Sequence, residues 1–260
     1  MKIPKSYLKY FKKIEKNIVG VLQMPSENFA KEDYHKLRVE IKKLNAVLTS
    51  LEFCFKSFKK ERYQKGLQQL FKQAGKVRNY QLEESTLKTN PVPQYLSDLA
   101  KTIEKEKIKF AALHDKLHIK KIKKTFKKIE RFIKKMHRKD LQKFVENERN
   151  KIRHFFQKDV LLPGNLHAMR KLLKIDFYTR KITDQPVAEN LVEEENNFLE
   201  LLGKWHDCQT MNRLLQKSIF KGVRSAEELH DLSKMNAEIK GTSDNLLKDI
   251  KERMQKGVYL

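Results

Sequence analysis

His35, Arg38 and Lys42 stand at positions 0, +3 and +7 of one stretch, and His167, Arg170 and Lys174 stand at the same offsets of another. An imidazole, a guanidinium and an ammonium so placed are chemistry for holding anions. Arginine forks onto two phosphate oxygens, lysine supplies a mobile point charge, and histidine donates from both ring nitrogens only when protonated. At about 100° per residue the three side chains fall within about 60° of one another on a helix. Each copy therefore makes a cationic stripe headed by a titratable ring. Lys43 adjoins the first stripe, and Lys171, at +4 from His167, adjoins the second.

The repetition continues downstream. Gly75-Lys76-Val77-Arg78-Asn79-Tyr80-Gln81 begins 40 residues after His35, and Gly203-Lys204-Trp205-His206-Asp207-Cys208-Gln209 begins 36 after His167. Both read Gly-Lys-x-basic-Asn/Asp-x-Gln, which adds Arg78 and His206 to the candidate residues. A motif helix, a turn and a second helix recur as a unit. A single domain over 1–260 is expected, with internal repeats at approximately 5–120 and 121–258. Such a duplication predicts two pseudo-symmetric helical-bundle halves, each burying an apolar face that one helix cannot cover alone.

The elements that must position these residues read as helix throughout. The chain holds only 8 Gly and 6 Pro, and apolar residues recur at 3 and 4 almost everywhere between them. Helices are predicted at roughly 5–23, 28–57, 62–88, 92–118, 121–137, 139–160, 164–182, 187–206, 209–220 and 225–256. Breaks are expected at Asn90-Pro91-Val92-Pro93, at Pro163-Gly164-Asn165 and at Asp184-Gln185-Pro186. In the first motif helix Leu37, Ile41, Leu44, Leu48 and Leu51 centre about 200° from His35, so they pack inward while the basic stripe looks away. In the second, Asp176 interrupts the stripe begun by Met169, Leu172 and Leu173.

Composition agrees with an anionic partner. Lys and Arg number 57 against 33 Asp and Glu, a formal net charge of +24. A surplus of that size attracts polyanions, whether nucleic acid, anionic membrane or polymeric phosphate. The apolar fraction, 39%, suits elongated helices with wide solvated faces. Cys54 and Cys208 are too few for a disulfide framework and are not spaced as a metal knuckle, so two reduced, partly buried thiols are expected. Met1-Lys2-Ile3-Pro4-Lys5 leads into a Lys-rich amphipathic segment without a leader's apolar run, and no apolar run reaches membrane-spanning length. A cytoplasmic location and no membrane span are the corresponding expectations.

At these residues the sequence resembles the CHAD family, the conserved-histidine α-helical domains. His35, Arg38, Lys42, Lys43 and Leu44 match its first signature helix, with Gly75, Arg78 and Asn79 matching the downstream element. His167, Arg170, Lys174 and Tyr178 match the second, followed by Leu202, Gly203 and Asp207. The resemblance covers roughly 20–255. Departures are Asn45 and Phe177 at the family's late arginine, Ile175 at a basic position, Asn79 for Asp, and His206 for the second downstream arginine. The triphosphate-tunnel signature that often accompanies the family is missing, which implies a standalone module. The resemblance implies an all-α, two-fold pseudo-symmetric body whose basic central channel or groove binds inorganic polyphosphate without catalysis or cofactor. Its ligand set would be His35, Arg38, Lys42, Lys43, Arg78, His167, Arg170, Lys171, Lys174, Tyr178 and His206, with Tyr178 equally suited to packing. Association with polyphosphate granules would follow.

Other readings compete. Non-specific RNA or DNA binding follows from the charge alone, although no helix-turn-helix, zinc-finger or ribonucleoprotein-type pattern is present. A phosphate-processing enzyme would need more than the sequence offers. His114 and His118 share a helix face at i,i+4 but lack the glutamate of a His-Glu-x-x-His metal site. Glu193-Glu194-Glu195 points around a helix rather than converging. Lysine runs such as Lys120-Lys121-Ile122-Lys123-Lys124 and Lys127-Lys128 read as solvated faces, and Trp205 as core. Lys151, Arg153 and His154 are further candidates for a wall of the site, and residues 5–23 have a basic amphipathic pattern compatible with a membrane surface.

Overall fold

A computed structural model describes residues 5–87, 92–156, 163–180, 189–221 and 225–255. Among them the regular elements are α1 (Lys5–Leu22), a short 3-10 turn (Ser26–Asn28), α2 (Lys31–Cys54), α3 (Lys60–Leu87), α4 (Pro93–Asp115), α5 (Ile119–Lys135), α6 (Arg138–Phe156), α7 (Pro163–Arg180), α8 (Glu189–Lys221) and α9 (Ala226–Gln255). No strand occurs among the described residues, and the fold is all-α. The expected breaks at Asn90-Pro91 and at Asp184-Gln185-Pro186, and the predicted helix ends beyond 156 and 180, lie outside the described residues.

Local chemistry sets the boundaries. α2 begins where extended Ala30 donates its N–H to Asp33 Oδ2 at 2.9 Å, while the Asp33 N–H returns a bond to the Ala30 carbonyl at 3.1 Å. It ends at extended Phe55, whose ring packs on Phe132. Pro93 opens α4 at a position where a missing N–H costs nothing. One prediction needs correcting: the helices expected at 187–206 and 209–220 are the single helix α8. No glycine or proline interrupts Trp205 to Arg213, and the Thr210 hydroxyl donates to the His206 carbonyl at 2.9 Å within the continuing helix.

The chain groups into two compact units. Unit 1 comprises Met1–Arg78, Ile103–Asn150 and Ile175–Gln185; unit 2 comprises Asn79–Thr102, Lys151–Lys174 and Pro186–Leu260. Each unit thus draws on both halves of the sequence, and α3, α4, α6 and α7 contribute residues to both.

In unit 1, Tyr7, Phe11, Ile14 and Ile18 of α1 are buried with Leu37, Ile41, Leu44, Leu48 and Leu51 of α2, the inward stripe expected from the sequence. Leu70, Ala74 and Val77 of α3, Phe110 of α4, Phe126, Ile129 and Ile133 of α5, and Leu141 and Phe144 of α6 complete this core. Full burial of each large side chain is worth about 1.5–3 kcal/mol. That outweighs the few tenths of a kcal/mol that each like-charge neighbour pair costs along the lysine-rich α5. The Tyr7 hydroxyl is satisfied by Ser50 Oγ at 2.6 Å.

In unit 2, α8 and α9 run against each other. Phe198, Leu202, Trp205 and Leu215 of α8 and Leu232, Met235 and Ile250 of α9 are buried, Trp205 as expected. Leu166, Met169 and Leu173 of α7 are buried in the same unit. Gln209 donates to Ser243 Oγ at 2.7 Å, tying the two helices.

Candidate functional site

The first basic station lies on α2. His35 is exposed, and Arg38, Lys42 and Lys43 are half-buried. Arg38 Nη1 donates to the Phe71 carbonyl of α3 at 2.7 Å, and its guanidinium carbon stands 4.3 Å from the centre of the Phe71 ring. The same guanidinium fills the space over Gly75: a Cβ there would lie 3.0 Å from Arg38 Cζ and closer still to Nη1. Gly75 is buried, so this approach exists because it has no side chain. Arg38 is therefore a clasp between α2 and α3 as well as a cation. Arg78, one turn past Gly75, has Nη1 buried without a hydrogen bond among the described residues.

Two groups at this station were not anticipated. Glu40, an acid on the signature helix, is buried and accepts Lys43 Nζ at 2.6 Å, so part of the Lys43 charge is spent locally. Its spacing, three residues after buried Leu37 and four before buried Leu44, was the sequence signal for burial. Phe71 was missed as well, although it lies one turn before Gly75 and thus on the same face of α3.

Tyr178 lies with unit 1 although its signature helix begins in unit 2. It is a neighbour of Tyr10, whose hydroxyl is pushed well above the usual phenol range, first by burial and then by Tyr178, Glu40 and Tyr7. The buried Asp176 on the same helix has its carboxylate 2.6 Å from Arg180 Nε one turn on. That ion pair explains how an acid occupies a position where an apolar stripe was expected.

The second station lies in unit 2. His167, Arg170 and Lys174 are half-buried and Lys171 is exposed. The His167 and His206 rings approach to 4.8 Å between centroids, inclined by 36°, so two candidate residues far apart in sequence meet here. Burial first, then the charges of Lys171 and Arg170, hold the His167 imidazole below the usual histidine range. Arg170 lies by Gly203, where a Cβ would be an ordinary 3.7 Å from Nη2. The motif arginine thus lies by the glycine of its own downstream element in both stations, tightly in the first and loosely in the second. Lys151, Arg153 and His154 are exposed on α6.

The remaining histidine pair has a structural role in part. His114 Nε2 is 3.1 Å from the Leu22 carbonyl, and its ring packs against Phe29 and Phe110. No group of three or more His, Cys, Asp or Glu among the described residues is arranged to hold a metal. Cys54 and Cys208 are free, and burial raises both thiols, Cys54 to about 12. No helix of the described residues is long and apolar enough to cross a membrane.

Comparison with known proteins places this geometry. The crystal structure of the CHAD domain from the plant Ricinus communis superposes with a TM-score of 0.76 at 12% identity, covering 96% of this chain and 91% of that one. PptA from Streptomyces chartreusis superposes at 0.73 and 11% identity, covering 98% and 100%. At such identities the likeness concerns the fold. No curated protein matches in sequence. The family model for the CHAD domain matches residues 7–216, which include both signature helices and both downstream glycines; the chain belongs to the CHAD domain family.

Proposed function

We propose that this chain binds inorganic polyphosphate without transforming it, through the basic stations of α2 and α7. The observation that carries this reading is the recurrence of one arrangement. In each station a His-Arg-Lys face has its arginine by a glycine on another helix, and a further basic residue follows that glycine at +3. Polyphosphate is a string of charged phosphates with no bases to read, so it calls for cations rather than aromatic platforms. The buried Arg78 Nη1 is a donor that a phosphate oxygen would satisfy. The station residues are cations and imidazoles rather than the paired carboxylates that hold catalytic metal ions. A cytoplasmic protein recruited to polyphosphate stores is the role this reading gives it.

A competition titration by calorimetry at near-physiological salt tests the proposal, with long-chain polyphosphate against RNA and duplex DNA of matched charge. Heat is the better readout because Trp205, the only tryptophan, is buried. Polyphosphate preferred by a hundredfold, about 2.7 kcal/mol, is the expected result. Comparable affinities for all three would overturn a dedicated polyphosphate site.

A further inference from the structure

We infer that the outward face of α5 is a docking surface for the major groove of a B-form DNA duplex, separate from the stations on α2 and α7. This helix carries eight lysines and one arginine against a single acid, Glu130. Its apolar face, Phe126, Ile129 and Ile133, is buried in the core of unit 1. Measured from Phe126, Lys120, Lys124, Lys127, Arg131 and Lys135 lie about 100–180° round the helix. Lys123 and Lys134 flank them at about 60–80°, and Lys121 and Lys128 at about 200–220° on the other side. All of these side chains are exposed.

The one acid does not neutralise this face. Glu130 sits at its margin, where Lys12 of α1 at 2.5 Å and Lys134 at 2.8 Å hold its carboxyl below the usual range. On α4, by contrast, Lys101, Lys107 and Lys109 each lie three residues from a paired acid, Asp98, Glu104 and Glu106. The α5 lysines repel one another along the helix, and a fixed array of anions would relieve that repulsion.

The shape of the charge selects the occupant. Insertion into a bilayer needs apolar side chains on the outward face, whereas Phe126, Ile129 and Ile133 of α5 are buried and Ile119, Ile122 and Phe132 are packed, partly buried, against the same core. A single linear polyanion would meet one stripe, whereas these cations fan through about 160° and charge both flanks. A helix about 10–12 Å across fits a groove about 12 Å wide, with phosphates on both walls along its run of about 25 Å. The deep, narrow major groove of A-form RNA does not admit it. Lysine dominance gives point charges rather than forked base contacts, so recognition is of backbone and independent of sequence.

The test is a salt titration of binding to a random-sequence DNA duplex of about 20 bp, with duplex RNA, anionic phosphatidylserine vesicles and long-chain polyphosphate as parallel arms. The variant is Lys120→Gln, Lys124→Gln, Lys127→Gln and Arg131→Gln together; all four side chains are exposed, and far-UV CD checks helicity. DNA affinity should fall at least tenfold at about 0.1 M salt, with the log–log salt slope shallower by about 3–4, while polyphosphate affinity is unchanged. The corresponding Lys→Arg replacements, with Arg131 kept, should retain the parental slope. The double variant Lys42→Gln/Lys174→Gln should lose polyphosphate affinity and keep DNA binding. An unchanged slope in the glutamine variant would overturn the proposal. So would duplex RNA binding as tightly as DNA, vesicles outcompeting the duplex, or equal loss of DNA and polyphosphate in the Lys42/Lys174 variant.

Discussion

The guanidinium of Arg38 occupies the space that a side chain on Gly75 would need. This contact joins the two parts of the first motif: the signature arginine is hydrogen-bonded to the Phe71 carbonyl and stacked on the Phe71 ring. The glycine is there for the arginine, and each has a consequence for stability as well as for binding.

Gly75→Ala should therefore destabilise the protein by about 1 kcal/mol. It displaces a charged hydrogen bond worth about 1.5–3 kcal/mol, and the better helix propensity of alanine returns about 1 kcal/mol. In an Arg38→Met background the sign reverses, because the obstacle is gone and only the propensity gain remains. Gly203→Ala, with its nearest contact at 3.7 Å, should be neutral or stabilising by about 0.5–1 kcal/mol. Urea unfolding of the four variants measures all of this, and equal destabilisation by both alanines would disprove the clasp.

Lys42→Gln with Lys174→Gln should weaken long-chain polyphosphate binding at least tenfold. Arg38→Ala should lower both affinity and Tm, since it also unfastens α2 from α3. The parent should bind long polyphosphate far more tightly than triphosphate, because a long chain engages many cations at once. Calorimetry with both ligands and thermal scans of the free proteins separate the outcomes. Equal affinity per molecule for the two ligands would point to a small-phosphate pocket.

Polyphosphate affinity should rise as pH falls, through His167. The free protein holds this imidazole below its ordinary range, so it is neutral at pH 7, and a bound anion favours the protonated ring. Stability of the free protein runs the other way. A depressed histidine pKa means the unfolded chain takes up the proton first, so stability present above the unfolded value is lost as pH drops through and below it. His167→Gln should flatten both dependences. An unchanged slope of log Kd against pH in that variant would assign the effect elsewhere.

Glu83 predicts a second pH dependence in unit 2. It is fully buried, hydrogen-bonded by the Tyr95 hydroxyl, which in turn meets Ser218 Oγ at 2.8 Å. Burial raises its carboxyl to about 7, against the lowering effect of Tyr95. Its contribution is fully present below the ordinary carboxylate value and is lost as pH rises through about 7. The full span is about 3 kcal/mol. Glu83→Gln, which keeps an acceptor for Tyr95, should be more stable than the parent at pH 8 and equal to it at pH 4. A parental pH profile in the glutamine variant would refute the assignment.

Much of this molecule is legible in its amino-acid sequence. The 3-and-4 spacing of apolar residues identified the inward face of α2, because burying an apolar stripe is a local, periodic demand. The paired His, Arg and Lys offsets likewise located both basic stations, since helix geometry alone puts those residues on one face. The continuity of α8 through Asp207 and Cys208 was missed because a polar stretch resembles a loop when its tertiary support is unseen.

What only the tertiary structure decided is how each charge is used. Arg38 was readable as a cation but not as a clasp, because Phe71 comes to it from another helix. Lys43 was readable as a candidate ligand residue but not as the partner of buried Glu40. The meeting of His167 with His206, and the placement of Tyr178 beside Tyr10, depend on contacts between residues distant in the chain. Residue type and period specify which face a side chain occupies; its partner, burial and protonation depend on what the rest of the fold brings within a few ångströms, and sequence spacing carries no record of that.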